Sequence, residues 1–321
     1  MGIITKGAVA AGVLAAVGAA ETLYFYNRTM KRKNTDVKRT VKMAGTDWSQ
    51  YAELLAKRKE FMLAQPHEAV SRVSFDGLKL CASYFPPLTQ TEGRKKLVIC
   101  FHGYTSKRMS DFIGLTDYYF RNGYAMLHPD ARSHGESEGT YIGFGCLDRR
   151  DALGWIQWAL EYCGEDTDII LHGISMGGAT VLMASGMELP PQVKGVISDC
   201  AFTSPREVFT HVLKNMYHLP AFPVIPAADQ LNRRLAGYGM DECNAKREVE
   251  HTSCPVLLIH GSADTFVPVE MCHEIYEQCN APKRKLIIEG AAHAESYFKD
   301  MAAYENALDE FLGISGKHHD R

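Results

Sequence analysis

DIILHGISMGGATVLMASG, residues 168–186, decides the fold. Its first half is a short run of branched apolar residues, the composition of a buried strand. Its last third is small and apolar without a breaker, which suits a helix. Between them stands Gly173-Ile174-Ser175-Met176-Gly177. Glycine and serine are common, so G-x-S-x-G alone says little. Strand before and helix after make it a nucleophile elbow, a strained turn that lifts the serine hydroxyl out of the sheet. Gly173 and Gly177 let backbone approach backbone there. The turn also sets Ser175 at a helix N-terminus, where the dipole favours developing negative charge.

Outward from this segment the chain alternates. KLVICF (96–101), AMLHPD (125–130), VKGVISD (193–199), PVLLIHG (255–261) and KLIIEG (285–290) are further short apolar runs. Helix-length segments lie between them, including Leu147–Tyr162 and Met176–Met187. The alternation predicts an α/β fold, a mostly parallel doubly wound sheet covered on both faces. Upstream, SRVSF and LKLCASYF flank Asp76-Gly77, a hairpin signal. More than fifty residues separate the strand ending at Ser198 from the one starting at Pro255, too many for one crossover helix. That segment, rich in proline and aromatic residues (HLPAFPVIPAADQL, 218–231), is expected to form a helical cap insertion, about 203–252, over the carboxyl edge of the sheet.

A serine hydroxyl is a poor nucleophile without a base and an acid that orients the base. In the chain order serine, acid, histidine, the candidates are Asp264, in GSADTFVP after one strand, and His293, in GAAHAES after the next. His273 falls in a helical stretch, and His318 and His319 in a polar tail. Asp199, which also ends a strand, is the rival acid. A tetrahedral intermediate needs backbone donors, expected from the amides of Met176 and of Tyr104, in the loop His102-Gly103-Tyr104 after KLVICF. His102 is read as a brace for that loop. Phe202, Tyr217 and Phe222 are expected to line an apolar acyl or aryl pocket, with Leu219, Val224 and Ile225 as its roof.

Seven segments in order, DGLKL (76–80), HGYTS (102–106), DARSHGES (130–137), GISMGG (173–178), DCAF (199–202), GSADTFVP (261–268) and AAHAES (291–296), make residues 71–313 resemble the α/β-hydrolase superfamily. More narrowly they resemble prolyl-oligopeptidase-like serine hydrolases and small bacterial esterases, many of them membrane-anchored. The resemblance implies a Ser-His-Asp carboxylesterase acting on a small-molecule ester. Peptidase, thioesterase and acyltransferase chemistry share the same acyl-enzyme. A membrane-tethered scaffold without activity is the rival of another class. Asp130, Arg132 and His134 are implied to tie down their loop.

The formal net charge of −3 and the lack of a basic stripe in the body give no reason to expect nucleic-acid binding. Nine cysteines, an odd number without a CxxC pair, argue against a disulfide framework or a zinc site. No cofactor or metal is expected. Residues 1–28 read as an N-terminal hydrophobic helix. GAVAAGVLAAVGAA (7–20) has no polar side chain, and Tyr24-Phe25-Tyr26 would sit at the membrane interface. Arg28, Lys31, Arg32 and Lys33 then place the following domain on the cytoplasmic side; the alternative is a secretory signal cut near Ala20. Residues 29–70 form a basic linker and an amphipathic helix, Asp47–Gln65, before the hydrolase domain at 71–321.

Overall fold

The computed structural model describes residues 18, 20–32, 46–89 and 93–314. Eight strands make one sheet: β1 (Glu68–Val73), β2 (Lys79–Phe85), β3 (Lys95–Phe101), β4 (Ala125–Pro129), β5 (Thr167–Ile174), β6 (Val193–Asp199), β7 (Val256–Gly261) and β8 (Lys283–Ile288). Their spatial order is β1-β2-β4-β3-β5-β6-β7-β8. The hairpin β1–β2 joins the edge antiparallel, and β4, β3 and β5 to β8 run parallel. Strand order reverses at β3, so β3 and β5 leave in opposite directions and open a crevice at their carboxyl ends.

Both faces of the sheet are covered. Leu97, Ile99 and Phe101 of β3 point into one apolar cluster with Leu127, Trp155 and Leu171. Val98 and Cys100 point into the other with Met126, Ile170 and Ile197. This is the period of two that a strand imposes, and each such burial is worth about 1.5–3 kcal/mol. The continuous apolar runs of the sequence follow from it, since neither face meets water.

Eleven helices lie among the described residues. The first two are α1 (20–30) and α2 (Ala52–Ala64). α3 (Thr116–Arg121), α4 (Asp148–Cys163) and α5 (Met176–Ser185) follow. Between β6 and β7 come α6 (Pro205–Asn215), α7 (Val224–Leu235) and α8 (Ala245–Glu248). α9 (Val269–Gln278), α10 (Ser296–Lys299) and α11 (Met301–Leu312) complete the chain. Ser204 caps α6, accepting from the Glu207 amide at 3.2 Å, with Pro205 in the first helical position. α2 follows a single 3-10 turn at Trp48–Tyr51, and the Trp48 and Tyr51 rings pack on Phe298, with centroids 5.7 and 5.4 Å away.

The apolar run at residues 7–20, expected to cross a membrane, lies outside the described residues except for 18 and 20. Among the described residues no helix is long and apolar enough to cross a membrane. The expected place of Tyr26 at a membrane interface needs correction. Tyr26 is 2% exposed and Met30 1%, both inside the apolar core. α1 presents these two residues, four apart, to the body of the protein, because positions i and i+4 share a helix face.

Candidate active site

β5 ends at Ile174 and α5 begins at Met176, so Ser175 alone makes the turn. Its φ of 57° and ψ of −115° belong to a region that L-residues rarely occupy. The conformation is held because the neighbours leave no slack. A Cβ on Gly173 would stand 2.1 Å from the Gly177 carbonyl oxygen, and one on Gly177 only 1.9 Å from that of Phe101. The Ser175 amide donates to the Asp199 carbonyl at 2.8 Å, which fixes the turn to β6.

The loops after β7 and β8 bring the two other candidates to the same edge. The Ser175 hydroxyl donates to His293 Nε2 at 2.8 Å, and His293 Nδ1–H donates to Asp264 Oδ2 at 2.7 Å. A carboxylate only accepts, so this bond sets the tautomer that leaves Nε2 free to take a proton. All three residues are buried. Asp264 Oδ1 accepts from the amides of Phe266 and Val267, each at 2.9 Å. Burial works to raise the Asp264 pKa, but His293 and His260 outweigh it and hold the carboxyl well below the usual range. The aspartate is therefore a fixed negative charge against the imidazole.

His260 was not singled out in the sequence. It is the penultimate residue of β7 and fully buried, its Nε2 donating to the Val267 carbonyl at 2.8 Å and standing 3.4 Å from Asp264 Oδ2. The available signal was a histidine near the end of an otherwise apolar strand, four residues before Asp264. The rival acid, Asp199, accepts instead from the Ser296 hydroxyl at 3.2 Å, and burial pushes its carboxyl up to about 6.

The loop after β3 runs beside the serine. A Cβ on Gly103 would lie 3.3 Å from that of Ser175, and the Gly103 amide donates to Asp111 Oδ2 at 2.6 Å. His102 accepts from the Ala131 amide at 3.0 Å on Nε2, and its Nδ1 lies 2.8 Å from the Gly103 carbonyl, so its ring is engaged by loops. The Tyr104 hydroxyl donates to the Thr29 carbonyl of α1 at 3.0 Å. Met176 is the first residue of α5, where amides have no acceptor within the helix. The DARSHGES loop is tied as the resemblance implied. Asp130 accepts from the amides of Arg108 and Glu136 at 3.0 and 2.9 Å. Arg132 is buried between Asp151 (2.7 and 2.8 Å) and Asp76 (2.9 and 3.1 Å). His134 Nε2 accepts from the Thr105 amide at 3.3 Å.

Above Ser175 lies a cavity of about 180 Å³. Phe202, Tyr217, Val224 and Ile225 line it, together with Phe209 and Phe266. Phe222 does not; it is 77% exposed. It precedes the helix whose inward face is Val224, Ile225 and Ala228, and so falls outside that face. Leu219 packs under the cap against Leu213, Val224 and Ile225. Cys200 stands with Asp264 and His293, their donor atoms within 4.8 Å of one another. Burial pushes its thiol pKa well up, and a neutral thiol is a poor metal donor.

Residues 92–234 match the family described as serine aminopeptidase, S33. The chain is 29% identical to the Bacillus subtilis protein YqkD over 216 residues, 67% of this chain and 70% of that one. It is 28% identical over 185 residues to the lysophosphatidylserine lipase ABHD12 of Danio rerio, 56% of this chain and 46% of that one. Among solved structures, the Pyrococcus furiosus esterase Pf2001 superposes with a TM-score of 0.62 at 23% identity, over 79% of this chain and 94% of that one. That likeness is one of fold, and the fold is that of the α/β hydrolases.

Proposed function

We propose that this α/β hydrolase is a serine hydrolase that cleaves carboxylic esters with an apolar acyl or aryl group. Ser175 Oγ attacks the acyl carbon as its proton passes to His293 Nε2. Asp264 holds Nδ1–H and stabilises the imidazolium that forms. The amides of Met176 and Tyr104 receive the oxyanion. The C–O bond to the alcohol then breaks, and His293 returns the proton to the leaving oxygen. Water, activated by the same imidazole, opens the acyl-enzyme and frees the acid.

The observation that carries this reading is the line Asp264–His293–Ser175, bonded at 2.7 and 2.8 Å, opening into an apolar cavity. The names of the zebrafish lipase and the archaeal esterase point the same way. An aminopeptidase must hold a substrate ammonium group, normally with a carboxylate. Among the described residues lining the cavity none is Asp or Glu, which favours an ester over a peptide. A fluorophosphonate should label folded protein at Ser175; folded protein that stays unlabelled would refute the proposal. On the same reading residues 1–20 tether the enzyme to a membrane with the catalytic domain on the cytoplasmic side, and mass spectrometry of a mature chain beginning near Glu21 would overturn the tether.

A further inference from the structure

One wall of the cavity comes from α1, upstream of both the sheet and the family match at 92–234. Phe25, Tyr26, Arg28, Thr29 and Met30 all line it. The helix is held at both ends of the wall. On the cap side the Phe25 ring meets Tyr217 edge-on with centroids 5.0 Å apart, and the Tyr26 hydroxyl donates to Asn232 Oδ1 of α7 at 3.2 Å. On the other side it meets the loop between β4 and α4: the Ile142 amide donates to the Met30 carbonyl at 2.8 Å and the Arg32 amide to that of Thr140 at 2.8 Å. The Tyr104 hydroxyl closes the third side on Thr29. A segment tied to the cap, the β4–α4 loop and the loop beside Ser175 is a fixed part of the cavity.

We propose that Phe25 and Met30 of α1 determine which apolar group the site accepts, by closing the cavity to chains longer than a short acyl or an aryl group. The inference rests on the ester-hydrolase reading and names its specificity element. The cavity, at about 180 Å³, is close to the size of the ~150 Å³ apolar cavity that binds benzene in another protein. Among the lining residues, Arg28, Thr29, Met216 and Tyr217 keep some exposure where α1 meets the end of α6, and Thr105 is exposed in the loop after β3.

The test is the profile of kcat/KM over p-nitrophenyl esters from acetate to laurate. Phe25→Ala and Met30→Ala each remove apolar bulk from the wall and should raise the laurate-to-acetate ratio about tenfold, the scale on which apolar pockets sort substrates by size. Phe25→Trp should lower that ratio below the wild-type value and guards against a truncation that merely loosens the fold. Leu23→Ala is the control on the same helix: Leu23 is 49% exposed and does not line the cavity, so its profile should coincide with that of wild type. Profiles unmoved in the Phe25 and Met30 variants, with the wild type active, would overturn the role of α1 and leave the hydrolase reading standing. A wild type inert on every ester and unlabelled by fluorophosphonate would overturn the hydrolase reading itself.

Discussion

His260 and His293 share one oxygen of Asp264: Nε2 of the first lies 3.4 Å from Oδ2, and Nδ1 of the second bonds it at 2.7 Å. The other oxygen is taken by two backbone amides. The carboxylate therefore cannot rotate without losing several partners at once, and its direction becomes that of the His293 ring.

Replacing His260 should loosen that direction without touching substrate. His260→Asn is expected to lower kcat about tenfold with KM within about twofold, the pattern of a contribution made in the transition state. A rise in KM at unchanged kcat would show that His260 serves the binding wall instead.

Ser175→Ala should abolish hydrolysis and fluorophosphonate labelling together. The expected loss is on the order of 10⁶ in kcat, the scale for removing a triad serine. Retention of a few per cent of the activity would move the nucleophile elsewhere.

The two candidate aspartates should separate cleanly. Asp264→Asn takes the charge from the His293 bond and should lower kcat by roughly 10⁴, as the wrong tautomer does in a protease triad. Asp199→Asn, whose partner is Ser296, should cost far less. The reverse ranking would make Asp199 the acid.

Asp199 also predicts a pH dependence of stability. Burial raises its carboxyl from 3.8 to about 6, so between these values the folded state holds a proton that the unfolded state has lost. Stability from this group is whole below 3.8 and is lost as pH rises through about 6. Asp199→Asn, neutral throughout, should raise Tm more above pH 6 than below 3.8. An equal shift at both ends would place the ionisation elsewhere.

Tyr104→Phe removes only the hydroxyl that donates to Thr29. Its backbone amide stays, so the expected result is partial: kcat down about tenfold through a looser oxyanion loop. Stopped-flow acylation kinetics would show the loss in acylation; a loss confined to deacylation would contradict this role for the loop.

The candidate site was legible where chemistry is local. Ser175 needs a strand, two glycines and a helix, all within nineteen residues. Asp264 and His293 each follow a recognisable strand. α1 was not legible. An apolar run, three aromatic residues and a basic cluster read the same whether the helix meets lipid or a cap. What distinguishes them is a partner for Tyr26 that lies 206 residues away, at Asn232. Phe222 failed for a related reason: proximity in sequence to Val224 says nothing about helix phase when the residue precedes the helix.

The packing of Gly177 against the Phe101 carbonyl has a consequence for how this scaffold can change. Any side chain at Gly177 would drive β3 from β5 and dismantle the sheet edge that presents Ser175. The elbow is therefore closed to gradual adjustment, in evolution or in the laboratory. New substrate preferences have to arise in parts that can vary one side chain at a time, which here means the inward faces of α6, α7 and α1.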